Sequence, residues 1–185
     1  NIVAGVIFRK NLNERIALRA KLNYAKIGSS DNWPNTVEYR EERGRYFKNT
    51  LIELGLAIDF NFLDFDIHSS SLQMTPYISS GINFFNYNAL RYEIGELEAN
   101  QYGKESNISV PITIGYKIKP LKNFIFGFEI TANQSFSDNL DGSYPVEKYK
   151  DSSENFGSTL SKDWYVFSGI TLTYLFGNKK CYCPN

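Results

Sequence analysis

The stretch LIELGLAIDFNF (residues 51–62) decides how the chain is read. Ile52, Leu54, Leu56, Ile58, Phe60 and Phe62 alternate with Glu53, Gly55, Ala57, Asp59 and Asn61. At helical spacing neither set forms a stripe, whereas on a pleated strand each set lines one face. Residues 15–27 repeat the pattern: Ile16, Leu18, Ala20, Leu22 and Tyr24 oppose Arg15, Ala17, Arg19, Lys21 and Asn23. The same period runs through residues 108–118, 124–133 and 164–176, and more weakly through 74–87. Residues 1–9 read as one more strand. The expectation is an all-β chain of seven antiparallel strands.

Alternation by itself also suits a soluble sandwich. Three features favour a transmembrane barrel instead. The predicted strands run to about 10–14 residues, beyond the usual five or six and enough to cross a bilayer when tilted. Their polar faces are rich in Gly, Ser, Thr and Asn, which suits the narrow interior of a small barrel. The connections, near residues 28–48, 64–73, 88–107, 119–123 and 137–163, alternate long and short, as external loops and periplasmic turns do in bacterial barrels. An inside-out, lipocalin-like barrel is the soluble competitor; it would put Leu54, Leu56 and Phe128 in the interior.

Composition is consistent with this reading. Aromatics make up 16% of the 185 residues, with 13 Tyr and 14 Phe, an enrichment that suits strands and membrane interfaces. Twenty Lys and Arg balance 20 Asp and Glu, so no basic face argues for nucleic acid. Mean hydropathy is mildly polar, as a barrel with one polar face permits. No run of about 18 apolar residues is present to form a transmembrane helix.

The last strand sets the direction. It ends on Phe176, an outward-facing terminal aromatic of the kind used as an insertion signal, which places the inner rim there and a periplasmic tail at residues 177–185. The barrel domain is then residues 1–176. Single-chain bacterial barrels have an even strand count with both termini periplasmic. Seven strands therefore imply an eighth, N-terminal strand ahead of Asn1, in a chain read as mature or trimmed. Trp164 and Tyr24 are expected at the outer aromatic girdle, and Phe62 and Phe176 at the inner one.

With the strands placed, the sequence resembles the PorG-like barrel family of the Bacteroidota type IX secretion and gliding apparatus. The resemblance rests on WYVFSGITLTYLFGNKKCYC (residues 164–183), supported by NLNERIALRA (11–20), RYFKNTLIEL (45–54), TPY (75–77), VPITIGYK (110–117) and SDNLDGSYP (137–145). It implies an outer-membrane barrel with a structural, non-enzymatic role in protein export, anchoring a periplasmic ring built from a lipoprotein and its soluble partner. No cofactor is expected.

The interior charges are expected to be Arg15, Arg19, Lys21, Glu53, Asp59, Lys117 and Glu129. Buried charges are costly unless paired, and Arg19 and Lys21 precede Glu53 and Asp59 on a neighbouring strand. The set reads either as a salt-bridged plug or as a proton or solute path. The tail holds Lys179, Lys180, Cys181, Tyr182 and Cys183, the candidate partner-binding residues. Its two cysteines are the only ones in the chain. In the oxidising periplasm they read as a bond from Cys181 or Cys183 to a partner, a strained local bridge, or inert thiols. Two further classes stay open: a membrane-stabilising or adhesion barrel acting through its loops, and a lipid-modifying barrel enzyme. The enzyme reading would centre on the sole histidine, His68, beside Ser69, Ser70 and Ser71, although no third positioned group is evident. For a metal the best candidate is Asp138 with Asp141, where a plain turn competes.

Overall fold

The computed structural model describes residues 1–31, 38, 44–143 and 162–176. Seven strands follow in chain order: β1 (Ile2–Asn11), β2 (Ile16–Ser30), β3 (Tyr46–Asn61), β4 (Gln73–Arg91), β5 (Asn100–Leu121), β6 (Phe124–Ser135) and β7 (Trp164–Tyr174). Each pairs antiparallel with its sequence neighbour, in the spatial order β1 to β7. The sheet curls into a half-barrel with a concave, side-chain-filled interior.

The alternation read from the sequence becomes an inside and an outside. On β3, Leu51, Glu53 and Asp59 are fully buried, while Leu54, Leu56 and Ile58 are 59, 68 and 56% exposed. Every other strand repeats this division. Leu22 and Tyr24, Ile78 and Ile82, Ile112 and Ile114, Phe126 and Phe128, and Ile170 and Leu172 all face outward. Thr75, Ser79, Asn83, Ser109, Thr113 and Asn133 line the interior. The lipocalin-like alternative is overturned, because Leu54, Leu56 and Phe128 lie on the exterior.

The outward aromatics gather towards the strand ends. Phe60 meets Phe62 edge-on at 5.7 Å, Phe124 meets Tyr174 at 5.4 Å, and Phe8 lies 6.1 Å from Phe176. Tyr24 and Trp164 are about half exposed at the opposite end.

One predicted loop is mostly strand. Residues 88–107 were expected as a connection, yet β4 runs to Arg91 and β5 starts at Asn100. The outward positions there are polar, with Asn86 paired to Ser106 and Asn88 to Lys104. On β4 the inward residues are Tyr87 and Ala89, both buried, so the apolar set changes faces, while residues 104–107 of β5 are polar on both faces, and the regular contrast that reveals a strand in sequence is lost. The long hairpin rises beyond the apolar belt. The last strand stops at Tyr174, two residues short of the predicted end.

Candidate functional site

The interior is built in layers, and its centre is a charge cluster. One row of paired residues runs across four strands: Tyr77 on β4, Gly115 on β5, Glu129 on β6 and Gly169 on β7. A Cβ at Gly115 would lie 2.5–2.6 Å from the Tyr77 ring. Glycine therefore lets the ring lie flat across β5, and its hydroxyl donates to Glu129 Oε1 at 2.5 Å. Two guanidiniums converge on the same point from β1 and β2. Arg19 pairs with Asp59 at 2.9 Å and Glu129 at 3.0 Å. Arg9 pairs with Asp59 at 3.0 Å and Glu129 at 2.5 Å. Both arginines also donate to the Tyr77 hydroxyl. Each cation has two carboxylates and each carboxylate two cations, a closed set that buried charges require.

Lys117 stands beside this cluster. Its ammonium lies 5.0 Å from the Tyr77 ring centre and 4.8 Å from that of Phe65, a cation–π arrangement. Phe65 comes from the turn after β3, is 2% exposed and closes the lower end of the interior.

Above this cluster lies a second polar layer. Glu53 accepts from the Tyr165 hydroxyl at 2.5 Å and from Asn23 Nδ2 at 3.1 Å, and Asn83 donates to Asn133 at 3.0 Å. The mouth is shut by Ala25, Leu51, Phe85, Tyr87, Leu140 and Tyr165, all buried. Leu140 belongs to the segment after β6, which folds inward. Its carbonyl accepts from Asn49 Nδ2 at 2.9 Å, and its N–H donates to Asp163 Oδ2 at 2.9 Å.

Asp163 makes the stability of this mouth depend on pH. Burial raises its pKa to about 6, opposed by the Leu140 N–H and reinforced by Asp141 and Asp138; Lys162 pulls the other way. Because the folded pKa exceeds the unfolded one, the folded state binds the extra proton. Stability contributed here is greatest below the unfolded value near 3.8 and falls as pH rises through about 6. Wild-type protein in detergent is expected to melt at a higher temperature at pH 5 than at pH 7. Asp163→Asn should flatten that difference, and an unchanged pH profile in the variant would assign it to another group.

Over residues 1–185 the sequence matches the DUF6089 family, described as a domain of unknown function. The chain belongs to this family. No curated protein and no solved structure matches it.

The charges expected inside this DUF6089 chain are placed as follows. Arg19, Asp59, Glu129 and Lys117 form the central cluster. Glu53 is inside but bonds to Tyr165 and Asn23, and among the described residues neither it nor Lys21 makes an ion pair, although both are buried. Arg15 is a correction: it lies just before β2, outside the interior, half exposed and paired with Asp64 at 2.7 Å. Arg9 was missed. It ends the inward series Val3, Gly5, Ile7, Arg9 on β1, a signal already present in the alternation.

The serines beside His68 bond to one another: Ser69 Oγ lies 2.7 Å from Ser71 Oγ, and Gln73 donates to Ser71. His68 donates its backbone N–H to Asp66 Oδ1 at 2.8 Å. Asp141 accepts from the Ser143 N–H within its own turn, and Asp138 pairs with Lys162 at 3.2 Å. Among the described residues no three His, Cys, Asp or Glu side chains are grouped to hold a metal ion. Lys179, Lys180, Cys181, Tyr182 and Cys183 lie outside the described residues.

Proposed function

We propose that this DUF6089 protein is an outer-membrane barrel that acts as a sealed anchor within a protein-export and gliding machine, holding a periplasmic lipoprotein ring rather than conducting solutes or catalysing a reaction. The observation that carries the membrane part is the exterior. On all seven strands the outward residues form one apolar belt with aromatics near its ends, and soluble monomers rarely leave so large a patch to water. A bilayer, by contrast, favours an apolar band between aromatic girdles.

The interior supports the anchoring part. An eight-stranded barrel is only wide enough for its own side chains. Here Leu140 and Phe85 fill the mouth, the Arg9–Arg19–Asp59–Glu129 cluster fills the middle, and Phe65 fills the base. A conducting pore or a substrate pocket needs space that these layers occupy. The role in export, the lipoprotein ring as partner and the periplasmic tail as contact all follow from the resemblance to PorG-like barrels. The tail residues Cys181 and Cys183 are the proposed covalent link.

The test is affinity capture from detergent-solubilised outer membranes, with and without reductant. A periplasmic lipoprotein should be recovered in stoichiometric amount and shifted on gels only without reductant. Changing Cys181 and Cys183 to Ser should abolish the shift. Recovery of the barrel alone would remove the export assignment, and protein soluble without detergent would remove the membrane assignment too.

A further inference from the structure

Every carboxylate on the strands turns inward. Glu53, Asp59 and Glu129 are buried, and Glu105 accepts from the buried Tyr87 hydroxyl at 2.7 Å. The outward side of the strands therefore carries cations without anions, and Lys10, Lys26, Lys48 and Lys104 are exposed there. Three of these four lysines stand at one end, the end expected outside, just beyond the apolar belt. On β2 and β3 the belt stops at the paired Tyr24 and Ile52. The next two outward rows pair Lys26 with Thr50 and Gly28 with Lys48. On β5, Lys104 is one outward position beyond Ser106 and lies opposite Asn88.

Lys26 and Lys48 frame a groove of about 750 Å³ at this rim, lined also by Gly28, Tyr46 and Thr50. An added Cβ at Gly28 would lie 3.6 Å from Lys48 Cγ and 2.6 Å from the Phe47 carbonyl oxygen. The bare backbone of Gly28 therefore lets the Lys48 stem lie across it. Lys26 and Lys48 are diagonal neighbours on the β2–β3 pair, roughly 7–8 Å apart at the backbone. Like charges at that spacing repel, and among the described residues neither lysine meets a carboxylate. Lys48 Nζ lies 6.0 Å from the Tyr46 ring centre, the outer limit of a cation–π contact. Carboxylates near this rim are engaged elsewhere: Glu98 accepts from the Tyr46 hydroxyl at 2.9 Å, and Asp31 from the Arg45 N–H at 3.3 Å. An anion seated between the two ammoniums removes their repulsion, and lysine is a point-charge partner for phosphate.

We propose that this groove holds the phosphate of an outer-leaflet lipid, with Lys26 and Lys48 as its cationic contacts and the acyl chains laid along the outward column of Tyr24, Ile52, Leu22 and Leu54. Position selects a lipid over a soluble phosphate. The lysines stand one and two rows above apolar side chains that are 48% exposed at Tyr24 and Ile52, 51% at Leu22 and 59% at Leu54. One molecule then meets charge at its head and apolar surface along its tail. Basic pockets at the edge of the hydrocarbon recognise anionic headgroups in this way. The inference rests on the membrane reading above and is independent of the export role.

The test is native mass spectrometry of the full-length protein in nonionic detergent, titrated separately with phosphatidic acid, with diacylglycerol of the same chains and with inorganic phosphate. Phosphatidic acid should bind selectively. The variant K26A/K48A should weaken it roughly 25-fold, about fivefold for each lysine removed. K26R/K48R keeps both charges and should retain binding. K10A/K122A, which removes exposed lysines at the opposite rim, should also leave it unchanged. Heat-modifiable gel migration confirms that each variant folds. Equal binding of diacylglycerol would mean apolar contact alone, and equal binding of inorganic phosphate would mean an anion site without a lipid. An equal loss in K10A/K122A would mean diffuse charge rather than a groove. Each of these results overturns the proposal, as does the absence of binding, while a protein that still needs detergent keeps the membrane reading. Protein that stays monodisperse without detergent would overturn the membrane reading itself, and this inference with it.

Discussion

Leu56→Arg is expected to destabilise the folded protein in lipid by about 2–4 kcal/mol, the range for a basic residue on the lipid face of a barrel near the midplane. Leu56 is 68% exposed and sits between outward neighbours, Ala20 on β2 and Ile82 on β4. In water the same substitution should be close to neutral, because an exposed leucine gains nothing from its surroundings and surface changes stay within about 0.5 kcal/mol. In hydrocarbon the guanidinium must be desolvated or must drag water and headgroups inward. The cost should depend on depth, so Phe62→Arg at the inner girdle is expected to cost only about 0–1 kcal/mol. Equilibrium unfolding from lipid vesicles measures both. Equal, small effects at the two positions would mean that this face meets water and would sink the transmembrane assignment.

The exterior was legible in the sequence because it depends only on local geometry. A strand turns successive side chains to opposite faces, so the set Ile52 to Phe60 is specified by the order of residues alone. The hairpin of β4 and β5 beyond the belt was not legible, because on β4 the apolar set moves to the inward Tyr87 and Ala89 and on β5 both faces turn polar, which breaks the period. The pairing inside was legible in part. Arg19 and Lys21 were expected to meet Glu53 and Asp59, since adjacent strands were all that sequence order could bring together, and Arg19 does meet Asp59 at 2.9 Å. The structure also pairs Arg19 with Glu129, from four strands away. That contact exists only once the sheet has curled, and curvature is a property of the whole. Arg15 shows the limit at a strand end. One residue before β2 the chain has already left the wall, and the side chain turns to Asp64.

Glu129→Ala is the interior change expected to cost most, about 3–5 kcal/mol, the range for breaking a buried ion pair by deleting one partner. Asp59 would remain the only carboxylate for both Arg9 and Arg19, two like charges held by one anion. The Tyr77 hydroxyl would lose its acceptor as well. A second substitution separates charge from packing. Arg19→Met combined with Glu129→Met deletes one charge of each sign, leaves Arg9 with Asp59, and restores apolar volume. Replacing buried ion pairs by well-packed apolar groups is often neutral or stabilising, so the double variant should be more stable than Glu129→Ala alone. Such non-additivity is the mark of residues acting as one network. Planar-bilayer recordings supply the independent readout. The wild type should be silent, and only variants that empty the cluster should pass ions. If Glu129→Ala instead costs less than about 1 kcal/mol and the wild type already conducts, the charges are hydrated. The interior would then be a path rather than a plug, and the anchor reading would lose its structural support.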